Sequence, residues 1–239
     1  MTALPRTGRM RSLLLLPGLL CDDRLWRDQA SALADVAEIK IADLTRDDSL
    51  DAMADGAIAG MPDRFALAGL SMGGYVAFAI LRRAPGRVAR LCLLDTSARP
   101  DTPEQARRRR GLLALARTGR FRGVTPRLLP QLLHPGRLTE LGDEVMAMAE
   151  RVGKDAFLRQ QLAILKRPDS RPNLPGIRVP TVVVVGAEDQ LTPPDHAAEI
   201  AAKVPGAELH ILKDCGHLAP IERPAEVSHL MRCWLSAGL

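Results

Sequence analysis

One serine in this chain is flanked in a way that suits nucleophilic chemistry. Ser71 stands in Gly69-Leu70-Ser71-Met72-Gly73, after the apolar run Phe65 to Ala68 and before Val76, Ala77, Ile80 and Leu81, apolar positions at helical spacing. The pattern predicts a strand-to-helix turn that pushes the hydroxyl out of a sheet. Such a turn strains the backbone at the serine and crowds the positions two before and two after it, so only very small residues fit there. Gly69 and Gly73 supply them. The same turn aims the N–H groups at the start of the following helix toward the hydroxyl, which makes the Met72 amide a candidate donor to an oxyanion.

A nucleophilic serine needs a base, and the base needs an acid to orient it. Among five histidines, His217 has the best context, in Asp214-Cys215-Gly216-His217-Leu218 between the last expected strand and the last expected helix. Gly216 is expected to let that loop turn sharply, and a parallel sheet would bring it to the same carboxyl-end crevice as Ser71. His134, His196, His210 and His229 are expected to be structural. Two carboxylates end expected strands: Asp189, in Gly186-Ala187-Glu188-Asp189, and Asp95, after Val88 to Leu94. Spacing alone does not separate them. The chain order serine, acid, histidine favours Asp189 as the partner of His217.

The elements needed to hold these residues alternate along the chain. Strands are expected at Ser12 to Leu16, Val36 to Ala42, Phe65 to Ala68, Val88 to Leu94, Thr181 to Val185 and Glu208 to Leu212. Helices are expected at Arg24 to Leu33, Leu50 to Ala59, the segment after Gly74 up to Arg83, Asp195 to Lys203 and Pro224 to Leu235. Repeated units of this kind predict an α/β fold with a mostly parallel sheet covered on both faces. The middle of the chain breaks the alternation. Roughly 85 residues between Leu94 and Thr181 show helical patterning at Gln105 to Arg117, Val124 to Leu133, Gly142 to Arg151 and Lys154 to Leu165, with no convincing strand. A structureless loop of that length is implausible, so residues 98–172 are expected to form a helical cap, or lid, inserted into a core made of residues 1–97 and 173–239. Arg107 to Arg110 are expected on the solvent face of a cap helix.

Composition narrows the function class. With 239 residues and 46% hydrophobic content, one domain carrying an insertion can bury a sizeable core. The net charge of +5 comes mostly from arginine, and only 3% of residues are aromatic, so a nucleic-acid partner is not expected. Cys21, Cys92, Cys215 and Cys233 form no C-x-x-C pair and no metal-ligand spacing with the histidines, which predicts reduced thiols and no metal. Arg6, Arg9 and Arg11 before Ser12 to Leu20 imitate a short signal peptide, and Cys21 imitates a lipidation site. Pro17-Gly18 interrupts the run, however, and Leu20 is too large for a cleavage position. No run reaches the roughly 18 apolar residues of a membrane span, so a soluble cytoplasmic protein, monomer or homodimer, is expected.

Taken together, Leu15-Leu16-Pro17-Gly18-Leu19, the Ser71 turn, the helical insertion, Gly186-Ala187-Glu188-Asp189 and Gly216-His217 resemble the alpha/beta-hydrolase superfamily, and within it the small cap-bearing esterases. The plan is similar to that of the pimeloyl-carrier-protein methyl ester esterases. The resemblance implies hydrolysis of a small-molecule carboxylic ester by Ser71, His217 and Asp189 without a cofactor. It also implies that Leu19, following the loop glycine, gives a second oxyanion N–H beside Met72. This chain has Pro17-Gly18 where the family usually has His-Gly, so any role of that histidine is gone. The short stretch before the first strand implies a reduced sheet of about six strands. The same residues could serve carbon–carbon bond hydrolysis, cofactor-free peroxidation or acyl transfer to another acceptor, and a hydrolase-like small-molecule receptor is the non-enzymatic alternative.

Overall fold

The computed structural model describes residues 11–237, Arg120 by its backbone alone. Arg6 and Arg9 of the signal-like stretch lie outside the described residues. Six strands, β1 (Arg11–Leu16), β2 (Ala37–Ile41), β3 (Phe65–Leu70), β4 (Val88–Leu94), β5 (Thr181–Gly186) and β6 (Glu208–Leu212), form one sheet in the order β2-β1-β3-β4-β5-β6. Every neighbouring pair is parallel. Nine α-helices follow among the described residues: α1 (Arg27–Leu33), α2 (Leu50–Ile58), α3 (Met72–Arg83), α4 (Pro103–Leu115), α5 (Leu129–Leu132), α6 (Leu138–Leu165), α7 (Pro194–Lys203), α8 (Ala219–Glu222) and α9 (Pro224–Ser236).

The inner strands β1, β3, β4 and β5 carry apolar runs because both faces of the sheet are covered there, while the edge strands β2 and β6 alternate and are only partly buried. Along β1 the side chains alternate between two cores. Leu14 and Leu16 join Leu67, Leu93 and Val183 under α2, α3 and α7, while Leu13 and Leu15 join Ala68, Cys92 and Val184 under α1 and α9. Ser49 accepts the Ala52 N–H and so starts α2. All four cysteines are free thiols, three of them buried.

Between β4 and β5 the chain is helical, with two departures from the sequence pattern. The helix expected over Val124 to Leu133 shrinks to the single turn of α5, because Pro126 and Pro130 interrupt hydrogen bonding along that stretch. The two helices expected at Gly142 to Arg151 and Lys154 to Leu165 form one run, α6, broken at Gly153, where φ is 77°. α4 begins at Pro103, two residues before the expected Gln105, because Thr102 and Gln105 exchange side-chain-to-backbone bonds in a capping box that starts the helix there. The four-arginine run is split. Arg107 and Arg110 face water as expected, but Arg109 turns inward onto Asp101 because that nearly buried carboxylate needs a partner.

Candidate active site

β1, β3, β4 and β5 end at the same edge of the sheet, and the chain leaving three of them is strained. Leu20, Ser71 and Asp95 all have positive φ, at 58°, 53° and 43°. Side-chain-bearing residues hold such angles only where the surroundings over-determine them. At Ser71 the surroundings are fixed by close backbone approach. A Cβ on Gly69 would lie 2.5 Å from the Gly73 carbonyl oxygen, and a Cβ on Gly73 would lie 2.2 Å from the Leu16 carbonyl oxygen. The turn is tied to β4 by Ser71 N–H donating to the Leu94 carbonyl at 3.0 Å and by the Thr96 hydroxyl donating to the Ser71 carbonyl at 2.7 Å.

Three of the side chains singled out in the sequence meet there. His217 Nε2 lies 2.9 Å from Ser71 Oγ, and its Nδ1 lies 2.9 and 2.8 Å from the two carboxylate oxygens of Asp189. His217 and Asp189 are both 3% exposed. Burial opposes ionisation of Asp189, but the adjacent His217 and the hydrogen bonds from His217 and Thr192 outweigh it and hold the carboxyl below its ordinary value. The Leu191 and Thr192 amides and the Thr192 hydroxyl all donate to it, at 2.8, 3.0 and 2.7 Å.

Asp95 makes no hydrogen bond or ion pair with His217. It is fully buried and accepts the Gly186 N–H at 2.9 Å and the Ala219 N–H at 3.2 Å, tying the loop that carries Asp189 to the loop that carries His217. Burial, reinforced by the negative charge of Asp189, pushes its carboxyl well above the usual range.

The loop of His217 is built differently from the sequence expectation. The sharp turn falls at Asp214, with φ 49°, and not at Gly216. Gly216 is required for a close approach: a Cβ there would lie 2.7 Å from the His134 amide nitrogen. That approach lets His217 N–H donate to the Leu132 carbonyl at 3.0 Å. Glu222, nearly fully buried, then accepts three amides, His134 at 2.7 Å and Gly216 and Leu218 at 3.0 Å each.

Leu19 follows Gly18 at the end of β1. Neither its N–H nor that of Met72 has a hydrogen-bond partner among the described residues. The next amide, Leu20, donates to Gln160 Oε1 at 3.1 Å, and Gln160 Nε2 donates to the Leu44 carbonyl at 3.1 Å. A glutamine of α6 therefore fixes the loop after β1. Ser71 and His217 open into a cavity of about 710 Å³, walled by Leu19, Leu20 and Leu70 below and by residues of the inserted helices, Ala116, Met148 and Phe157 among them, above. The Met72 side chain does not line it; it is fully buried in the core beneath, because as the first residue of α3 it is turned into the sheet.

Thr192, Glu222, Gln160 and Asp101 escape the sequence reading. Thr192 leaves a trace, standing three residues after Asp189 in the spacing of a local side-chain cap. Glu222 carries no such trace, since its three partners come from two separate loops. Among the described residues no group of three or more His, Cys, Asp or Glu side chains could hold a metal ion, and no helix is long and apolar enough to cross a membrane.

A parallel six-stranded sheet wrapped by helices, with a serine on the turn after its third strand, is the architecture of one large family, and the chain belongs to it: the alpha/beta hydrolase fold family matches residues 59–224. Within that family it is similar to the pimeloyl-[acyl-carrier protein] methyl ester esterase of Aromatoleum aromaticum, 31% identical over 201 residues that cover 78% of this chain and 80% of the relative. It is also similar to the 2-hydroxy-6-oxononadienedioate/2-hydroxy-6-oxononatrienedioate hydrolase of Klebsiella pneumoniae, 30% identical over 73% of this chain and 63% of the relative. Among solved structures, a thermophilic esterase from Thermogutta terrifontis superposes with a TM-score of 0.85 at 30% identity, covering 96% of this chain and 90% of the other.

Proposed function

We propose that this hydrolase cleaves carboxylic esters through a covalent acyl-enzyme. The observation that carries the reading is the single imidazole, His217, in hydrogen-bond contact with the Ser71 hydroxyl on one nitrogen and the Asp189 carboxylate on the other, at the wall of a cavity roofed by the inserted helices. In this reading Ser71 Oγ attacks the ester carbonyl while its proton passes to His217 Nε2. Asp189 keeps Nδ1 protonated and aimed and stabilises the imidazolium that forms. The unpartnered Leu19 and Met72 amides hold the oxyanion of the tetrahedral intermediate. His217 gives the proton to the departing alkoxide, then takes one from water as that water attacks the acyl-enzyme and releases the acid. None of these steps calls on a cofactor. Residues 98–172 act as the lid that selects the ester. The esterase relatives support a carboxylic ester as substrate, and the methyl ester esterases point to a short alcohol part.

The decisive experiment pairs a screen of esters of graded acyl length with Ser71→Ala. A fluorophosphonate should label Ser71 with one-to-one stoichiometry and abolish turnover, and Ser71→Ala should lose activity by about 10⁶-fold, the scale seen for loss of a triad nucleophile, while melting at the same temperature. Labelling elsewhere, with Ser71→Ala still active, refutes the mechanism. The Klebsiella relative supports a second substrate class for the same residues, and a 2-hydroxy-6-oxo dienedioate belongs in the same screen.

A further inference from the structure

Six arginines line the cavity, Arg99, Arg108, Arg109, Arg122, Arg167 and Arg171, against a single acid, Asp101. Four of them are accounted for. Arg99 pairs with Glu199 at 2.7 Å and Asp195 at 3.1 Å, Arg171 pairs with Asp169 at 2.7 Å, and Arg108 and Arg122 are exposed to water at the rim. The inner two are different. The side chains of Arg109 and Arg167 are 18% and 7% exposed, and they share one carboxylate, Asp101, whose side chain is 5% exposed. Arg109 grips it through Nε at 2.8 Å and Nη2 at 3.2 Å and places Nη1 on Gln161. Arg167 donates Nη1 to Asp101 at 2.5 Å and Nε to the Arg99 carbonyl at 3.0 Å. Its Nη2 has no partner among the described residues.

Arg167 also meets the helix that begins after Ser71. Its guanidinium lies 4.5 Å from the centre of the Tyr75 ring, and Tyr75 N–H donates to the Ser71 carbonyl in the first turn of α3. Burial opposes ionisation of Asp101, but hydrogen bonds and charge from Arg109 and Arg167 outweigh it and keep the carboxyl below its usual range. The cluster therefore holds two positive charges and one negative charge in a wall that is otherwise largely apolar. A buried excess charge of this kind is costly unless a counter-ion completes it. The planar fork of a guanidinium matches a carboxylate in two parallel hydrogen bonds.

We propose that Arg167, held in place by Asp101, Arg109 and the face of Tyr75, is a subsite for a carboxylate carried by the ester substrate. The preferred substrates are then half-esters of dicarboxylic acids, or esters whose alcohol part bears a carboxylate. This specificity rests on the ester-hydrolysis reading above.

The test compares kcat/KM for monomethyl succinate, glutarate and adipate with that for neutral methyl esters of equal length, and for O-acetylglycolate with that for propyl acetate. One anionic member should be preferred by roughly tenfold or more, the worth of one good charged contact, with the difference carried by KM. Arg167→Met should bring that ratio to about one or below, Arg167→Lys should retain part of it, and Arg46→Gln, on the open surface outside the cavity, should keep it whole. Because the ratio is taken within each protein, a loss of folded fraction cancels. Should Arg167→Met yield no folded protein, the intermediate ratio of Arg167→Lys decides. Neutral esters cleaved without any anionic preference, or a preference that survives Arg167→Met, overturns the subsite. Failure to cleave any ester overturns the hydrolysis reading itself and the subsite with it.

Discussion

The sheet and the helices inserted between β4 and β5 are held together by different forces. On the inner strands, leucine, valine and alanine are buried to near zero exposure on both faces, and the resulting packing is tight enough to hold Ser71 and Asp95 at positive φ. The inserted helices own a far smaller apolar cluster, in which Ala116, Ala149 and Phe157 pack on Leu20. They leave Leu112 and Leu115 exposed at the cavity mouth. Leu129, Leu133, Leu141, Val145 and Met148 also join the core on one face of the sheet and Ala163 and Ile164 the core on the other, and polar ties add to this packing: Arg24 on Glu144, Arg151 on Asp22, Gln160 on the Leu20 amide, and Arg109 and Arg167 on Asp101. Strain can be stored where packing is dense and apolar. Selectivity can be built where contacts are few, polar and replaceable. The two regions meet at a few specific ties, His217 N–H on the Leu132 carbonyl and Gln160 on the Leu20 amide among them.

Substitutions can break or sharpen that contrast. The largest effect is expected at the sheet edge. Asp189→Asn removes the charge that orients His217 and should lower kcat by about 10⁴-fold with KM almost unchanged, the pattern of a contact made stronger in the transition state. Asp95→Asn should do the reverse. Its amide cannot accept at both ends from Gly186 and Ala219, so it should cost about 1–3 kcal/mol of stability with a small change in rate. Steady-state kinetics beside urea melts separate the two, and a crippled Asp95→Asn with an active Asp189→Asn would exchange their roles.

Next comes the packed sheet. Leu67→Ala, at a fully buried site on β3, should cost about 2–5 kcal/mol in chemical denaturation while the rate per folded molecule stays near normal. A collapse of kcat in the folded fraction would mean that the Ser71 turn is less firmly held than its packing indicates. Gln160→Leu tests the tie between the regions. It leaves the Leu20 N–H and the Leu44 carbonyl without their partner, so a loss of about 1–3 kcal/mol is expected, and kcat should fall more than KM rises because the Leu19–Leu20 loop loosens. An unchanged kcat would uncouple the insertion from the Leu19–Leu20 loop. The smallest effect belongs to Leu115→Ser at the mouth. Stability should move by no more than about 0.5 kcal/mol, while KM for the longest acyl esters rises relative to the shortest; equal KM changes at every length would remove Leu115 from the acyl path.

The sequence alone pointed to the alternation of elements, a mostly parallel sheet of about six strands and the turn that carries Ser71, and it singled out His217, which the structure places beside Ser71. These follow from local rules: apolar runs of strand length, helical spacing, and glycines two residues either side of a serine. Between Asp189 and Asp95 the residues were evenly placed, and only chain order leaned to Asp189. The tertiary structure shows what each touches: the contact of Asp189 with His217 and the bonds of Asp95 to Gly186 and Ala219 join segments far apart in the chain. The inserted region was the least legible part. Its helices could be counted approximately, yet Pro126 and Pro130 reduced one to a single turn, and the inward turn of Arg109 depended on Asp101 being buried. Gly216 shows the limit most plainly. A glycine beside a histidine reads as a turn, but the reason for it is the His134 backbone, 82 residues earlier in the chain, pressed against the place where a side chain would stand. Local spacing encodes elements and turns; which loops touch, and therefore which buried charges find partners, is decided when the packed sheet and the insertion close on each other.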